Sequence, residues 1–367
     1  MRRIGKNDGI APWKIDNSIE RYLSRKADCS DHWKRIYVAF YRLFDKEYYN
    51  KGLKFIDDTL RLFIKKELSQ TQKKEYTIDM VYSLHRFGCA FDEYFLYHFP
   101  LLNTKGRESF VTDKIRYGLY KQINRGMDNA LLDNKALSFQ EYREYYQREI
   151  IEVKGKQDEI KIQRFIEKHG EAIIKPLDDS CGRGVRSIKE EDITVLLDQL
   201  KKPLLCEEKI RQSKTLEVLH PQSVNTVRMT TISTKKGICL FHPLLRVGVG
   251  SSIIDNAAAG GVFALVDEKT GIIKTEAKDE KGNTYCVHPD TGVAFPGFQL
   301  PDWGEAVSLV YECAKRAKGY HYVAWDLAHT DHGWIIVEGN AKGQVVMMQT
   351  FYNEGFKHEL EEAIREI

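Results

Sequence analysis

No Cys-x-x-Cys pair occurs in this chain of 367 residues, and its seven cysteines, at 29, 89, 181, 206, 239, 286 and 313, follow no regular spacing. An odd, scattered set argues against a disulfide framework and for reduced thiols in the cytoplasm. No stretch approaches the ~18 uninterrupted apolar residues of a membrane span, so no transmembrane segment is expected. The opening MRRIGKNDGIAPWKIDNS has basic residues with no apolar run behind them, so no signal peptide is expected there. A net charge of +3 lacks the basic excess of a nucleic-acid binder. Neither a repeat of fixed period nor a low-complexity tract is present. What remains is an ordinary globular mixture, 42% hydrophobic, 11% aromatic and 30% charged, long enough for two or three domains.

The pattern is helical from about Ser18 to Asn124. In IERYLSRKADCSDHWKRIYVAFYRLF and NKGLKFIDDTLRLFIKKEL apolar residues recur three and four apart, and SLHRFGCAFDEYFLYHF and RESFVTDKIRYGLYKQI add many Phe and Tyr. The aromatic stripes are expected to form a helix–helix core. After Arg125 strands and helices alternate. REIIEVK, EAIIKP and LLCEEKI read as strands, with helices at DEIKIQRFIEKHG and EEDITVLLDQLKK. SVNTVRMTTIST and GICLFHPLLRVG form a hairpin about Lys235-Lys236-Gly237, and GVFALVDEKTGIIKTEA forms another. A helix near 303–318 precedes YHYVAWDLA and WIIVEGN, and a last helix spans about 354–366. Antiparallel hairpins packed with helices indicate an α+β fold. The expected domains are a helical 1–130, a lobe at 131–206 and a second lobe at 207–367.

IIKPLDDSCGRGVRSI, from Ile173, runs a strand into Lys175 and then into a small-residue loop. It is not a Walker A loop, since no GK[ST] follows, and it lacks the third glycine of a dinucleotide fingerprint. Gly182 and Gly184 let backbone amides approach phosphate, yet they equally suit a plain hairpin turn. Three downstream features bear on that choice. Glu207 in LLCEEKI stands where a carboxylate can accept from an adenine amino group, or it belongs to a solvated hinge. Arg228 in NTVRMTTI and Arg246 in PLLRVG sit inside apolar strands, where they need an anion or a structural partner. Asp326 in WDLA faces a strand carrying Glu338 and Asn340, two apart and therefore on one face. Three hard oxygen donors of this kind suit Mg²⁺.

Taken in order, these residues resemble the ATP-grasp superfamily. DNAAAGG at 255–261, HPDTGVAFPGFQLPDW at 288–303 and the aromatic helical start resemble more narrowly its sugar-transfer-associated group. The motif series runs from about Leu132 to Gln344. The resemblance implies a fold of two α+β lobes with nucleotide between them, behind a helical N-terminal domain. It implies that Lys135 in LLDNKALSF and Lys175 hold ATP phosphates, under a loop containing Ser180, Gly182 and Gly184. Glu207, Lys209 (by its backbone) and Ile210 would line the adenine pocket, with Glu217 at the ribose. Asp326, Glu338 and Asn340 would hold two Mg²⁺ ions. Arg228 and Arg246 would lie over the transferring phosphoryl group, with Asn256 near the metals. Ala341-Lys342-Gly343 departs from the small residue, Pro and Gly that often follow the Glu-x-Asn motif in ligase relatives.

The implied activity is an ADP-forming carboxylate–amine ligase working through an acyl-phosphate on a small-molecule or glycan-linked carboxylate and amine. A phosphotransferase of the same fold and a nucleotide-binding regulator without turnover are the alternatives. No side-chain nucleophile is required, and Cys181 is incidental. His329 and His332 flank a turn, as a loop or a second metal site, and His288 is a candidate for the acceptor site.

Overall fold

The computed structural model describes residues 17–128, 130–177 and 184–367. The chain divides into two compact units, one of residues 1–121 with 345–362 and one of residues 122–344 with 363–367.

The first unit is helical: α1 Asn17–Ala27, α2 Asp31–Phe44, α3 Lys46–Phe63, α4 Gln70–Phe87, α5 Phe91–Leu96, α6 Thr104–Glu108 and α7 Asp113–Ile123. The continuous pattern of SLHRFGCAFDEYFLYHF breaks at Gly88, whose left-handed backbone (φ 66°) caps α4. A Cβ there would meet Lys114 Cβ at 2.9 Å, so glycine is required by space as well as by conformation. The aromatic stripes bury against each other as expected. Tyr37, Tyr97, Phe99 and Phe110 are fully enclosed, and the rings of Tyr97 and Phe110 stack at 4.6 Å. Each such side chain contributes roughly 1.5–3 kcal/mol by leaving water.

The second unit starts with α8 Ala130–Asp133 and α9 Lys135–Tyr146. It then builds a four-stranded antiparallel sheet from β1 Ile150–Val153, β2 Ala172–Pro176, β3 Arg186–Ile188 and β4 Leu204–Glu207, in the order β1-β4-β2-β3. Helices α10 Glu159–His169 and α11 Ile193–Gln199 pack on it through Ile162, Phe165, Ile166 and Leu196. Past the short α12 Lys214–Glu217, a seven-stranded sheet is ordered β11-β10-β5-β6-β7-β8-β9. Its strands are β5 Thr226–Thr234, β6 Gly237–Val247, β7 Val262–Leu265, β8 Ala277–Lys278, β9 Thr284–Tyr285, β10 Tyr322–Thr330 and β11 Gly333–Asn340. Helix α13, Trp303–Arg316, lays Ala306, Val310 and Cys313 on the core of that sheet. Every strand pair is antiparallel, which is the α+β class that the alternating texture after Arg125 implies.

The chain ends in α14 Val346–Gln349 and α15 Lys357–Glu366. Residues 345–362 belong to the helical unit, so that unit is not confined to the N-terminal third. Gln349 explains part of this return: fully buried, it donates to Val111 O at 3.0 Å and accepts from Val111 N at 2.9 Å.

Candidate nucleotide and metal site

Glu207 ends β4 in the middle of the small sheet, opposite Ile150 of β1 and Ile173 of β2. Side chains two apart on a strand share a face. Lys175, two past Ile173, and Arg148, two before Ile150, therefore both reach Glu207. Lys175 Nζ lies 2.8 Å from Oε2, and Arg148 donates to the same oxygen from Nε at 3.2 Å and Nη2 at 3.0 Å. Glu207 is 3% exposed. Burial raises its carboxyl, but Lys175 and Arg148 more than offset this and hold it below the usual range. Two cations on one acid leave a positive surplus beside the end of β2. Lys135, first residue of α9, extends Nζ to 3.4 Å from the carbonyl of Leu177, two residues past Lys175. The structure thus brings both lysines to the root of the small-residue loop. Ser180, Cys181 and Gly182 lie outside the described residues. Gly184 has φ 73°, and a Cβ on it would meet Pro176 Cγ at 2.8 Å.

The large sheet gathers the second cluster. Arg228, Asp326 and Glu338 stand in register across β5, β10 and β11, and Asn340 is opposite Ala324. All four side chains share one face. Arg228 grips Asp326 with two hydrogen bonds of 2.8 Å, Nε to Oδ1 and Nη2 to Oδ2. Arg246 joins at 3.2 Å from Oδ2. Burial pushes the Asp326 carboxyl up, yet Arg228, Arg246 and a hydrogen bond with Glu338 bring it below the usual range. Arg246 also donates to Thr226 Oγ1 from Nε at 3.0 Å and from Nη2 at 2.7 Å, and lies 3.5 Å from Asp255. Asp255 in turn accepts from the Thr226 amide at 2.9 Å and from its hydroxyl. Its carboxyl sits above the usual range because burial outweighs Arg246 and Thr226.

Among the described residues no three His, Cys, Asp or Glu side chains cluster as a metal site. The candidate set instead combines two carboxylates with an amide. Its chemistry suits Mg²⁺: the Asp326 and Glu338 carboxyl groups stand directly opposite each other across β10 and β11, and Asn340 Nδ2 donates to Glu338 Oε1 at 3.2 Å. Carboxylates held this close are relieved by a hard divalent cation.

The remaining sequence candidates fall elsewhere in the unit. Lys209 pairs through Nζ with Glu171 at 2.8 Å, Ile210 is half-buried and Glu217 is exposed on α12. Asn256 caps a short helical turn, its side chain accepting from Ala258 N at 3.0 Å. His288 is enclosed, with Nε2 2.8 Å from the Gly248 carbonyl. His329 lies inside β10 against Ser213, Nδ1 to Oγ 2.8 Å, while His332 is exposed in the turn. Sequence reasoning passed over Arg148 and Asp255. Arg148 sits in YYQREIIEV, where an arginine between Gln and Glu looks like surface charge, and Asp255 directly precedes the asparagine that drew attention.

Residues 114–365 match the family described as sugar-transfer associated ATP-grasp. No curated protein sequence matches the chain. Among solved structures it is similar to the ATP-grasp ligase PsnB complexed with a phosphomimetic variant of minimal precursor, Mg and ADP. That likeness has TM-score 0.42 and 14% identity, over 66% of this chain and 61% of that one. It is also similar to D-alanyl-alanine synthetase A from Vibrio cholerae O1 biovar eltor (TM-score 0.42, 12% identity, 64% of each chain). A third likeness is to D-alanine–D-alanine ligase from Helicobacter pylori (TM-score 0.41, 15% identity, 65% of this chain and 61% of that one). The chain covers 61% and 62% of the first two PsnB chains that it matches.

Proposed function

The chain belongs to the sugar-transfer associated ATP-grasp family, and from that premise we propose that it is an ADP-forming carboxylate–amine ligase acting on a sugar- or glycan-linked substrate. The observation that carries this reading is the row Arg228, Asp326 and Glu338, with Asn340 beside it, on one face of the large sheet. Two carboxylates, an amide and an arginine are there on neighbouring strands, which supports reading them as metal ligands and a phosphate-binding cation.

Asp326, Glu338 and Asn340 would hold two Mg²⁺ ions. Bound there, Mg²⁺ supplies charge neutralisation at the β- and γ-phosphates of ATP. Lys175 from β2 of the small sheet and Lys135 from the start of α9 would hold the phosphate chain, and the surplus positive charge beside Glu207 favours that anion. The Glu207–Ile210 segment lines the adenine, with Lys209 acting through its backbone and Glu217 near the ribose. Arg228 and Arg246, whose Nε and Nη2 donors are engaged with Asp326 and Thr226, would offer Nη1 to the transferring phosphoryl group. The substrate carboxylate attacks the γ-phosphorus, the bond to the β-phosphate oxygen breaks, and ADP leaves. The amine then attacks the acyl carbon of the acyl-phosphate, inorganic phosphate departs with the electron pair, and the amine loses a proton. Open water would hydrolyse that intermediate, so the loop 178–186 serves as its cover.

The test is a screen of carboxylates paired with amines for release of ADP and phosphate, with mass spectrometry of the products. Amine-dependent release with an amide product supports the ligase. A phosphorylated product formed without any amine makes the protein a phosphotransferase instead.

A further inference from the structure

The turn between β10 and β11 sets a register in which Thr330 faces Gly333, Ala328 faces Ile335 and Leu327 faces Ile336. Continued without interruption, that register would bring Val337 opposite Asp326. Asp326 instead stands opposite Glu338, and Val337 is left without a cross-strand partner where the register shifts. Successive residues point to opposite faces, so this one extra residue decides whether Glu338 or Val337 shares the face of Asp326. An insertion also interrupts the ladder, and the carbonyls around it need other donors.

Arg148 is that donor. Its Nη1 donates to the Ile336 carbonyl at 2.6 Å and its Nη2 to the Val337 carbonyl at 3.3 Å. Nη1 also donates to Tyr146 O at 3.3 Å, and the guanidinium lies 4.8 Å from the centre of the Tyr146 ring. The opposite edge of the same fork holds Glu207. A single buried side chain therefore joins the carboxylate paired with Lys175 to the irregular point of β11 next to Glu338.

We propose that Arg148 is a positioning residue for the Mg²⁺ site, fixing Val337 as the extra residue so that Glu338 stays opposite Asp326. This rests on the reading of Asp326, Glu338 and Asn340 as metal ligands. Arginine is specified because its planar fork meets two carbonyls and a carboxylate at once, whereas a lysine ammonium is a point donor.

The test uses the full chain and its Arg148→Lys, Arg148→Met and Glu338→Gln variants. ADP affinity is measured by calorimetry with Mg²⁺ and with chelator, and melting temperature is measured alongside. Mg²⁺ should tighten ADP binding to the native protein, and Glu338→Gln should abolish that gain. Arg148→Lys should bind ADP in chelator nearly as the native protein does, while losing about tenfold of the Mg²⁺-dependent gain, the scale on which orienting partners of metal ligands act. Arg148→Lys keeps a cation beside buried Glu207, so it decides the matter if Arg148→Met does not fold. A lower melting temperature with an unchanged Mg²⁺-dependent gain in Arg148→Lys would make Arg148 a purely structural brace and overturn the proposal. Failure of the underlying metal reading looks different: Mg²⁺ leaves native ADP binding unaltered, or Glu338→Gln keeps the full gain.

Discussion

Arg228 and Asp326 face each other across β5 and β10 and are joined by two hydrogen bonds of 2.8 Å in a buried setting. This pairing separates two substitutions that look equivalent in the sequence. Glu338 is half-buried on the neighbouring strand, and Glu338→Gln replaces a carboxylate oxygen with an amide of the same shape. It should abolish ATP-dependent phosphate release and lower the melting temperature only slightly, since glutamine keeps an acceptor for Asn340 and leaves no buried charge unpaired. Asp326→Asn should abolish release as well, but it strands Arg228 and Arg246 beside a neutral side chain. Breaking a buried ion pair costs about 3–5 kcal/mol, so this variant should melt clearly earlier. Thermal melts next to a phosphate-release assay check both. Equal melting temperatures for the two variants would show that the arginines do not depend on Asp326.

Lys175 carries a double role in the structure, on Glu207 at 2.8 Å and at the root of the loop. A charge-assisted contact is worth roughly 1.5–3 kcal/mol, so Lys175→Met should weaken ATP binding about ten- to a hundredfold. The nucleotide-free protein should lose only a little melting temperature, because Arg148 still neutralises Glu207. The stabilisation gained on adding ADP and Mg²⁺ should shrink far more, in proportion to the lost affinity. A variant that melts early yet gains the native increment from nucleotide would confine this lysine to the ion pair.

The helical unit has its own titration signature. Glu93 is fully buried at the start of α5, where Oε2 accepts from the amides of Ala90 at 2.9 Å and Asp113 at 3.0 Å while Oε1 has no partner. Burial, followed by the charges of Asp92 and Asp113, pushes its carboxyl up to about 8. An unfolded Glu titrates at about 4.3, so between these values the folded chain holds a proton that the unfolded chain releases. The stability linked to Glu93 is therefore complete below about pH 4.3 and is lost as pH rises through about 8. Glu93→Gln keeps the acceptor and removes the titration. Melting temperatures from pH 5 to pH 9 should fall less steeply in that variant than in the native chain. Parallel curves would exclude this residue as the source.

Local pattern reaches some of these features and not others. Glu338 and Asn340 share a face because they are two apart on a strand, which spacing alone dictates. Arg228 and Arg246 announce themselves as charges inside apolar runs, and hairpins such as that at Lys235-Lys236-Gly237 come from turn chemistry. Asp326 standing opposite Glu338 is another matter. It depends on Val337 being the extra residue of β11, where the Ile336 and Val337 carbonyls meet Arg148, a partner from elsewhere in the fold. The sheet positions of Arg148 and Lys175 on either side of Glu207 follow from the order β1-β4-β2, which no single segment encodes. The return of residues 345–362 to the helical unit is illegible for the same reason: Gln349 bonds to Val111 and Tyr97, more than two hundred residues away.

The sequence of the small-residue loop suits a phosphate cradle or a plain hairpin, and its base is a hairpin of β2 and β3. Ile174 of β2 faces Arg186 of β3, and Ala172 faces Ile188. Gly184 closes that base with a left-handed backbone against Pro176. Substitution at Gly184 therefore strains the hairpin whether or not phosphate ever approaches, and Gly184→Val should lower stability as well as activity. The discriminating probe is exchange of the backbone amides in 178–183, compared with Ser187 and Ile188 in the paired strand. A loop that folds over nucleotide should exchange quickly in the free protein and slowly once ADP and Mg²⁺ are bound. The β3 amides that bond to β2 should change less, because their partners lie in the sheet and not in the loop. Lys175→Met should reduce the protection of 178–183 at a fixed ADP concentration if the lysine makes the proposed phosphate contact at the loop's root. Equally slow exchange across 178–183 with and without nucleotide would leave only the hairpin, and the proposed cover over the site would have to come from another part of the chain.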